Sequence, residues 1–405
     1  MMKALVIANN LLRVNSPASS IEMGLFDGIS NNDINITAYC SSLGSLKPIS
    51  DKYKTIVVSE KNYWGYIYRI IRHVFPDILN IPDYHYFSWG KRTEKLARKL
   101  IEEERFDYIH SFSHPCSCHL VAYHLHKKSG LPWIASFFDS WIDYPSLKYY
   151  IPAFRKYNEK LERIVAENAT LIIHNNEGIA KLWRERYGED IAKKIIVIPL
   201  NEKFDEAMEL PPLKRNNDVL NISHVGTFYP FRNAQSFIEG VHSFVIRYPK
   251  YRDRLRISFV GLTQSTDMAM IDKYQLNDIF NICGRVSGDE CEQIYKESDV
   301  LLATAQQSFE DFTYPSKIIK YFFYRKPILG IAPPTSVLFS ELSKSCHCCI
   351  KPEDSTAIGD YIYNAITNYD SICNFDKNYW KMFSLDKVVR QYGDCIRRIT
   401  IKNLD

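Results

Sequence analysis

Basic side chains follow two predicted strands in the second half of the chain, where they could bind an anion. The stretch HVGTFYPFRN ends a strand at Gly226 and continues to Arg232, whose charged fork suits phosphate oxygens. The stretch Phe309–Ile331, FEDFTYPSKIIKYFFYRKPILGI, places Lys317 in the first turn of a helix predicted to begin near Pro315. The first N–H groups of a helix lack intrahelical partners, and the helix dipole adds positive potential. These residue types in this order predict a site for a diphosphate.

The helix predicted after Pro315 has one polar face and one apolar face. The polar face comprises Lys317, Lys320, Tyr321 and Tyr324, and the apolar face comprises Ile318, Ile319, Phe322 and Phe323. Two ammonium groups on one stripe repel each other unless an anion or water lies nearby. The polar face therefore either borders the anion site or is an ordinary solvated surface, and the apolar face is predicted to be core.

A further strand end in the same half carries Gly284, Arg285 and Val286. Its exposed backbone amides and carbonyls could read the edge of a nucleobase, and a plain strand-to-helix turn is the alternative. Gly226 likewise lets the backbone approach a ligand, although a solvent-exposed arginine after an ordinary strand-end glycine is the simpler interpretation of that stretch taken alone.

A histidine and an aspartate follow two predicted strands in the first half of the chain. The stretch YIHSFSHP ends at a loop with His114, and PWIASFFDSW ends at Asp139. An imidazole exchanges protons near neutral pH, and a carboxylate can orient sugar hydroxyls. Each alone is more often a structural polar group, but their shared position at strand ends favours a functional role.

The elements that must position these residues alternate between short apolar runs and helical stretches. This rhythm predicts parallel sheets covered on both faces by helices. A polar, charged stretch at Asn201–Asp218 is the predicted linker. We therefore expect a first domain at 1–203, a second at 218–375, and a helical segment at 376–405 that packs back on the first. In such sheets ligands lie outside the carboxyl ends of the strands.

The strand predictions in the first half are Ala4–Ala8, Thr55–Val58, Tyr108–Phe112, Trp133–Phe137, Leu171–His174 and Ile195–Pro199. Those in the second half are Asn221–Gly226, Arg256–Val260, Ile279–Cys283, Val300–Ala303, Pro327–Ile331 and Cys349–Ile350.

Bulk composition narrows the class of protein. The chain has 405 residues, more than one ordinary core requires, and a formal charge of +4, which is too mild to argue for nucleic acid. Its ten cysteines follow no regular spacing, and the start MMKALVIANN is too short for a signal or a membrane span. Because no secretory signal precedes the cysteines, we expect reduced thiols and a cytoplasmic location. We expect no metal, because the clusters at 116–119 and 346–349 lack a second ligand pair at zinc-site spacing.

The stretch Asn62–Arg92 interleaves aromatic, aliphatic and basic residues without strong periodicity. Such a segment can rest at a membrane surface, with aromatics at headgroup depth and cations against anionic lipid. A buried loop and helix over the sheet edge is the alternative. We expect no nucleic-acid partner, although a similar mixture of residues can stack on single strands.

Taken together, YIHSFSHP, GLPWIASFFDSW, HVGTFYPFRN, GRVSGDECEQIYKESDVLLAT and YPSKIIKYFFYRKPILGI resemble bacterial glycosyltransferases of the GT-B fold, specifically glycosyltransferase family 4. The order and spacing of the five stretches are more specific than any one of them. The resemblance implies an α/β fold with two Rossmann-like, doubly wound domains that face a cleft. It also implies transfer of a sugar from a nucleotide diphosphate to a glycan or lipid-linked acceptor with retained anomeric configuration.

The resemblance also implies roles for individual residues. Arg232 and Lys317 would neutralise the departing diphosphate, and His114 and Asp139 would lie toward the transferred sugar and the acceptor. The nucleotide-sugar site would comprise Gly226, Thr227, Arg232, Gly284, Arg285, Val286, Glu310, Tyr314, Ser316, Lys317 and Lys320.

The chain departs from the family at two places. Glu310 can serve as the first of the family's paired glutamates, but Lys320 replaces the second, which typically binds the ribose hydroxyls. An ammonium donates hydrogen bonds and cannot accept them, so ribose recognition must change or pass to another residue. The family's glycine-rich loop near the amino terminus is replaced by Asn9–Asn10–Leu11–Leu12.

The sequence thus predicts a retaining hexosyltransferase of bacterial surface-polysaccharide biosynthesis that uses a UDP- or GDP-sugar and no metal or other cofactor. We expect it in the cytoplasm or peripherally on the inner face of the cytoplasmic membrane. Two alternatives remain open: a nucleotide-sugar epimerase with the same fold, and a non-catalytic scaffold or binding subunit, which Lys320 would permit.

Overall fold

The computed structural model describes residues 1–14, 16–42, 45–60, 86–143, 152–204, 207–208, 210, 213, 218–230, 232–305 and 314–401. The chain forms two compact units. Unit 1 comprises Met1–Lys203 and Met382–Asp405, and unit 2 comprises Phe204–Lys381.

Unit 1 is built on a parallel sheet of seven strands, in the order β3-β2-β1-β4-β5-β6-β7. The strands are β1 Met2–Ile7, β2 Ile34–Ser41, β3 Lys54–Val58, β4 Tyr108–Ser113, β5 Trp133–Phe137, β6 Leu171–His174 and β7 Ile195–Val197. The α-helices are α1 Pro17–Ser30, α2 Lys91–Glu103, α3 Ser117–Ser129, α4 Pro152–Asn168, α5 Glu177–Tyr187, α6 Glu189–Ala192 and, from the end of the chain, α13 Leu385–Ile401. A π-helical turn at Tyr86–Gly90 precedes α2.

Local chemistry sets where the helices of unit 1 begin and end. Ser16 accepts a hydrogen bond from the Ser19 amide at the start of α1, and Asn176 accepts one from the Ile179 amide at the start of α5. Both side chains satisfy an amide that has no partner within the helix. Helix α3 ends at Gly130, whose φ of 74° is a left-handed conformation that glycine adopts without strain.

The C-terminal helix α13 packs against α1 in unit 1. Its buried Val388, Val389 and Ile396 belong to the same apolar core as the strands β1 and β2. A Cβ on Gly28 would lie 2.5 Å from Val389 Cγ2, so the two helices approach closely because α1 has a glycine at the crossing. The chain therefore closes unit 1 with its last helix, after it has completed unit 2.

Unit 2 repeats the architecture with six parallel strands, in the order β10-β9-β8-β11-β12-β13. The strands are β8 Leu220–Val225, β9 Leu255–Val260, β10 Phe280–Gly284, β11 Val300–Thr304, β12 Ile328–Ile331 and β13 Cys348–Ile350. The α-helices are α7 Gln235–Arg247, α8 Ser265–Lys273, α9 Gly288–Glu297, α10 Lys317–Phe323, α11 Val337–Lys344 and α12 Ser355–Thr367. Short 3-10 helices lie at Pro249–Arg254 and Tyr369–Ile372 in unit 2 and at Tyr379–Phe383 where it ends.

Strand β2, which lies between β1 and β3 in the sheet, is absent from the strands predicted from the sequence. The run INITAYCS alternates apolar residues with Asn35, Thr37 and Ser41, which do not read as a buried strand. Nevertheless seven of its eight residues are buried. In the stretch predicted as a linker, Phe204 stacks on Phe323 with ring centroids 4.6 Å apart, so it already belongs to unit 2.

Candidate functional site

In each unit, candidate residues cluster at the point where the strand order of the sheet reverses. In unit 1 this point lies between β1 and β4, and in unit 2 it lies between β8 and β11. Loops from two adjacent strands diverge there, which leaves a crevice outside the carboxyl ends of the strands. The predicted residues His114 and Gly226 follow β4 and β8 directly.

The turn after β8 in unit 2 brings Gly226 against the side chain of Lys317. Gly226 has a φ of 139°, and a Cβ at this position would lie 3.0 Å from Lys317 Nζ. Any other residue would therefore be strained and would push the ammonium away. The glycine and the lysine, 91 positions apart in sequence, form one compact feature, and Lys317 is the first residue of α10.

The ammonium of Lys317 lies among uncharged and cationic groups. Its Nζ is 2.7 Å from Nε2 of His224, which is fully buried in β8. Burial lowers the pKa of Lys317 well below its usual value, and the nearby Arg232 guanidinium lowers it further. Among the described residues, no carboxylate forms an ion pair with Lys317. A ligand with negative charge would relieve this repulsion.

Arg232 is held close to the same turn. It is 8% exposed, and its backbone exchanges two hydrogen bonds with Tyr229, at 2.8 and 3.1 Å. This tight turn precedes α7, and the Arg232 guanidinium lies near enough to Lys317 for its charge to lower the Lys317 pKa. The two residues singled out in the sequence as phosphate ligands are thus brought together.

The predicted polar face of α10 is wrong. Tyr321 and Tyr324 are 0% and 4% exposed and belong to the interior, and of this stripe only Lys320 is exposed. The Tyr321 hydroxyl accepts a hydrogen bond of 3.0 Å from the Val225 amide, which ties α10 to the end of β8. The face is therefore not a solvated stripe, because tyrosine can bury its ring once its hydroxyl has a partner.

Helix α10 also differs from the prediction in length. It spans seven residues and begins at Lys317, and Ser316 before it makes no side-chain cap hydrogen bond. A helix this short has a small dipole, so the positive potential at this site comes from the charges of Lys317 and Arg232.

The remaining predicted nucleotide-sugar residues lie in varied surroundings. Tyr314 is buried and donates a hydrogen bond of 3.2 Å to Glu341 Oε2, so its hydroxyl serves the interior of unit 2. Gly284 has a φ of 69° and open space where a Cβ would be. Thr227, Val286 and Ser316 are half-buried, whereas Arg285 and Lys320 are exposed. Glu310 lies outside the described residues.

In unit 1, His114 and Asp139 lie side by side at the ends of the paired strands β4 and β5. Nε2 of His114 is 3.6 Å from Oδ2 of Asp139, and the two side chains are 34% and 24% exposed. Burial lowers the pKa of His114, and the Asp139 carboxylate opposes that effect. The pair can exchange a proton with a ligand, because a carboxylate beside an imidazole stabilises its protonated form.

The loop after β1 positions His114. Asn10 Nδ2 donates a hydrogen bond of 2.8 Å to the His114 carbonyl oxygen. On the other side, the Cys116 thiol lies 3.7 Å from His114 Nδ1. Asn10 belongs to the stretch that replaces the glycine-rich loop of the family, so this stretch has a structural task next to His114.

His224 and Gly261 also belong to this site, although neither was predicted from the sequence. His224 reads as an ordinary residue of a buried strand, and only the fold brings Lys317 onto it. Gly261 has a φ of 112°, and a Cβ there would lie 2.6 Å from the Gly226 carbonyl oxygen. The sequence contains a signal for Gly261, because VGL at the end of β9 repeats VGT at the end of β8.

Two structural findings bear on metal and membrane chemistry. Within the described part of the chain, no group of three His, Cys, Asp or Glu side chains is arranged to hold a metal ion. Burial raises the pKa of Cys348 to about 11 and that of Cys349 to about 12, so both thiols are protonated at neutral pH. None of the helices in the described part of the chain combines the length and the apolar composition that a membrane span requires. Most of the aromatic and basic stretch at 62–92, its residues 62–85, lies outside the described residues.

Residues 51–200 match the model of a protein family described as Glycosyltransferase Family 4. This match confirms the family resemblance inferred from the sequence motifs. It covers most of unit 1, including His114 and Asp139. Among curated proteins, no sequence matches the chain significantly.

Solved structures match nearly the whole chain. HepE from Anabaena, solved with UDP and glucose, superposes with a TM-score of 0.67 at 13% identity over 98% of this chain and 100% of HepE. Sucrose-phosphate synthase from Thermosynechococcus elongatus gives 0.71 at 13% identity over 99% and 100%. The lipopolysaccharide outer core galactosyltransferase WaaB in its apo form gives 0.67 at 12% identity over 98% and 99%. These matches confirm the predicted GT-B fold class of two Rossmann-like units.

Proposed function

We propose that this chain is a retaining glycosyltransferase that moves a sugar from a nucleotide-diphosphate donor to a glycan or lipid-linked acceptor in bacterial surface-polysaccharide biosynthesis. The observation that carries the proposal is the Gly226–Lys317–Arg232 cluster in unit 2. Its two cations lie at the reversal of the strand order, and Lys317 has no carboxylate partner among the described residues. Such a cluster is costly without a ligand and suits a diphosphate.

The proposed chemistry follows from where charge develops. When the bond between the sugar and the diphosphate breaks, negative charge accumulates on the departing phosphate. Lys317 and Arg232 stabilise that charge, and they do so more strongly in the transition state than in the bound donor. Because two cations already compensate the leaving group, we propose that the reaction needs no metal ion.

His114 and Asp139 of unit 1 are proposed to meet the transferred sugar and the acceptor hydroxyl. The carboxylate orients hydroxyl groups, and the imidazole holds or takes up a proton. Their place at the ends of two paired strands and the 3.6 Å between Nε2 and Oδ2 support this role, because a carboxylate this close to an imidazole stabilises its protonated form.

The proposed donor is a UDP- or GDP-sugar. The similar structure of HepE was solved with UDP, with UDP and glucose, and with UDP-glucose, and another similar structure is a trehalose-6-phosphate enzyme from E. coli bound with UDP-2-fluoro glucose. Uridine is therefore the first base to test. The similarity to a lipopolysaccharide galactosyltransferase supports an acceptor among bacterial surface glycans.

We also propose a cytoplasmic location, with the acceptor reached at the inner surface of the membrane. Cosedimentation with vesicles that contain anionic lipid tests this part independently. Binding that is equal for neutral and anionic vesicles would contradict it, because basic residues favour anionic headgroups.

A screen of UDP- and GDP-sugars by thermal shift, followed by turnover assays, tests the proposed function. A cognate donor raises the apparent stability by mass action. Transfer to an added glycan or lipid-linked acceptor supports the glycosyltransferase, whereas release of an epimer without acceptor supports the epimerase. A chain that binds no nucleotide sugar at millimolar concentration is a scaffold, and the proposal is then wrong.

A further inference from the structure

His224 occupies a central position under the Gly226 turn, although nothing in the sequence marks it. Its side chain is fully buried, and its ring stacks on Phe228 with centroids 3.9 Å apart at an interplanar angle of 15°. One ring nitrogen, Nδ1, lies 3.0 Å from the carbonyl oxygen of Leu302 on the neighbouring strand β11. The other, Nε2, lies 2.7 Å from Lys317 Nζ.

These two contacts fix the tautomer of the imidazole. A carbonyl oxygen only accepts hydrogen bonds, so Nδ1 must carry the proton and donate to Leu302. In a neutral ring Nε2 then has a lone pair, and it accepts a hydrogen bond from the ammonium of Lys317. Burial and the charge of Lys317 hold the pKa of His224 well below its usual value, which keeps the ring neutral.

The geometry points to His224 as a positioning residue that aims the Lys317 ammonium at the diphosphate of the donor. This inference rests on the proposed function and adds a residue to it. A lysine stem has four rotatable carbons, and a partly buried ammonium next to Arg232 is repelled from its place. An uncharged acceptor such as Nε2 holds the ammonium under Gly226 and leaves its charge available to a phosphate.

The hydrogen bond between His224 and Lys317 also influences the pH at which Lys317 loses its proton. Burial and Arg232 lower the pKa of Lys317, and a hydrogen bond accepted by His224 favours the charged form. Diphosphate affinity therefore falls when pH rises through the pKa of Lys317. Loss of the acceptor moves that fall to lower pH, a change that a merely structural role of His224 would not produce.

Two substitutions separate the hydrogen bonds of His224. In H224N the side-chain amide can still donate to the Leu302 carbonyl but is too short to reach Lys317. In H224Q the longer side chain can place an acceptor near Lys317. His174 of unit 1 offers a matched control: it is another fully buried strand histidine, and neither of its ring nitrogens has a hydrogen-bond partner among the described residues.

The experiment measures UDP and GDP affinity of the full-length chain by calorimetry from about pH 6.5 to 9.5, with thermal melting to verify folding. For the nucleotide that the natural chain binds, H224N should weaken affinity about tenfold at neutral pH, the loss expected for a hydrogen bond to a charged group. Its loss of affinity at alkaline pH should begin at lower pH. H224Q should recover most of the affinity, and H174N should bind like the natural chain.

A second cycle places H224N in a chain that also carries Lys317→Met. There, H224N should cause no further loss, because the residue it acts through is gone. The inference is overturned if H224N matches the natural chain in affinity and pH profile, or if it weakens binding equally with and without Lys317. If the natural chain binds neither UDP nor GDP, the proposed function fails first, whereas normal binding by the Lys317→Met chain overturns only the assignment of Lys317.

Discussion

The two units place opposite kinds of ionisable groups at the same position of the same architecture. At the strand reversal of unit 1, His114 lies 3.6 Å from Asp139, and both are partly open to solvent. At the strand reversal of unit 2, Lys317 contacts the neutral His224 and is repelled by Arg232. The first pair can move a proton, whereas the second cluster offers positive charge, which Lys317 loses as pH rises through its lowered pKa. One sheet edge therefore suits hydroxyl chemistry, whereas the other suits a departing diphosphate.

The largest expected effect is on the cationic side of this comparison. Lys317→Met keeps the length of the side chain and removes its charge, so nucleoside diphosphate affinity should fall about 100-fold, the upper range for a hydrogen bond to a charged group. Calorimetry with UDP and GDP measures it. Affinity that stays within about twofold of the natural chain would show that unit 2 does not use Lys317.

Unit 1 also contains a buried carboxyl group, Glu22, whose burial favours the neutral form. Glu22 is 1% exposed, neither of its oxygens has a hydrogen-bond partner among the described residues, and burial raises its pKa to about 8. Between the pKa of Glu22 in the unfolded chain and pH 8, Glu22 keeps its proton in the folded chain but releases it in the unfolded chain. Stability should therefore fall as pH rises through this window.

Glu22→Gln should remove most of that dependence and raise the free energy of unfolding at pH 8 by on the order of 2 kcal/mol. Melting temperatures of both chains at pH 5 and pH 8 measure the effect. Parallel pH profiles for the two chains would mean that Glu22 ionises in the folded protein as freely as in the unfolded one.

A smaller effect is expected from the open pair of unit 1. Asp139→Asn should lower turnover about tenfold, within the range for loss of a group that orients a proton-transfer residue, and should leave nucleotide affinity unchanged. Because Asp139 raises the pKa of His114, the substitution should lower that pKa further. Any loss of activity on the acid side that reflects protonation of His114 should then shift to lower pH. A change in nucleotide affinity instead of turnover would contradict the division between the two units.

The smallest effect is predicted at Lys320. This side chain is exposed on α10, and its positive charge opposes the rise in the pKa of Cys291 in α9 that burial causes. Lys320→Glu should change nucleotide affinity less than about threefold or alter donor preference, since a solvent-exposed charge contributes little. A loss as large as that for Lys317→Met, measured in the same titrations, would mean that Lys320 holds the donor directly.

Much of the architecture could be predicted from the sequence, because alternating apolar runs and helix periods define parallel sheets. Strand β2 was not predicted, because Asn35 and Thr37 are polar residues in a largely buried strand that lies between β1 and β3. The polar face of α10 was wrong because Tyr321 satisfies its hydroxyl at the Val225 backbone, a partner 96 positions away. Periodicity alone does not reveal such a partner.

The candidate site was predictable in its parts but not in its assembly. Gly226, Arg232 and Lys317 stand out by residue type at strand and helix ends. His224 does not, since an isolated histidine in a strand has no distinctive spacing and its two hydrogen bonds depend on residues 78 and 93 positions away. Likewise, the closeness of His114 and Asp139 depends on the pairing of β4 with β5.

A crystal structure of the chain with UDP or GDP would locate the bound diphosphate. We expect a diphosphate oxygen within about 3 Å of Lys317 Nζ, with Arg232 beside it and His224 Nε2 still in contact with the ammonium. A diphosphate bound elsewhere, with Lys317 contacting His224 alone, would contradict it.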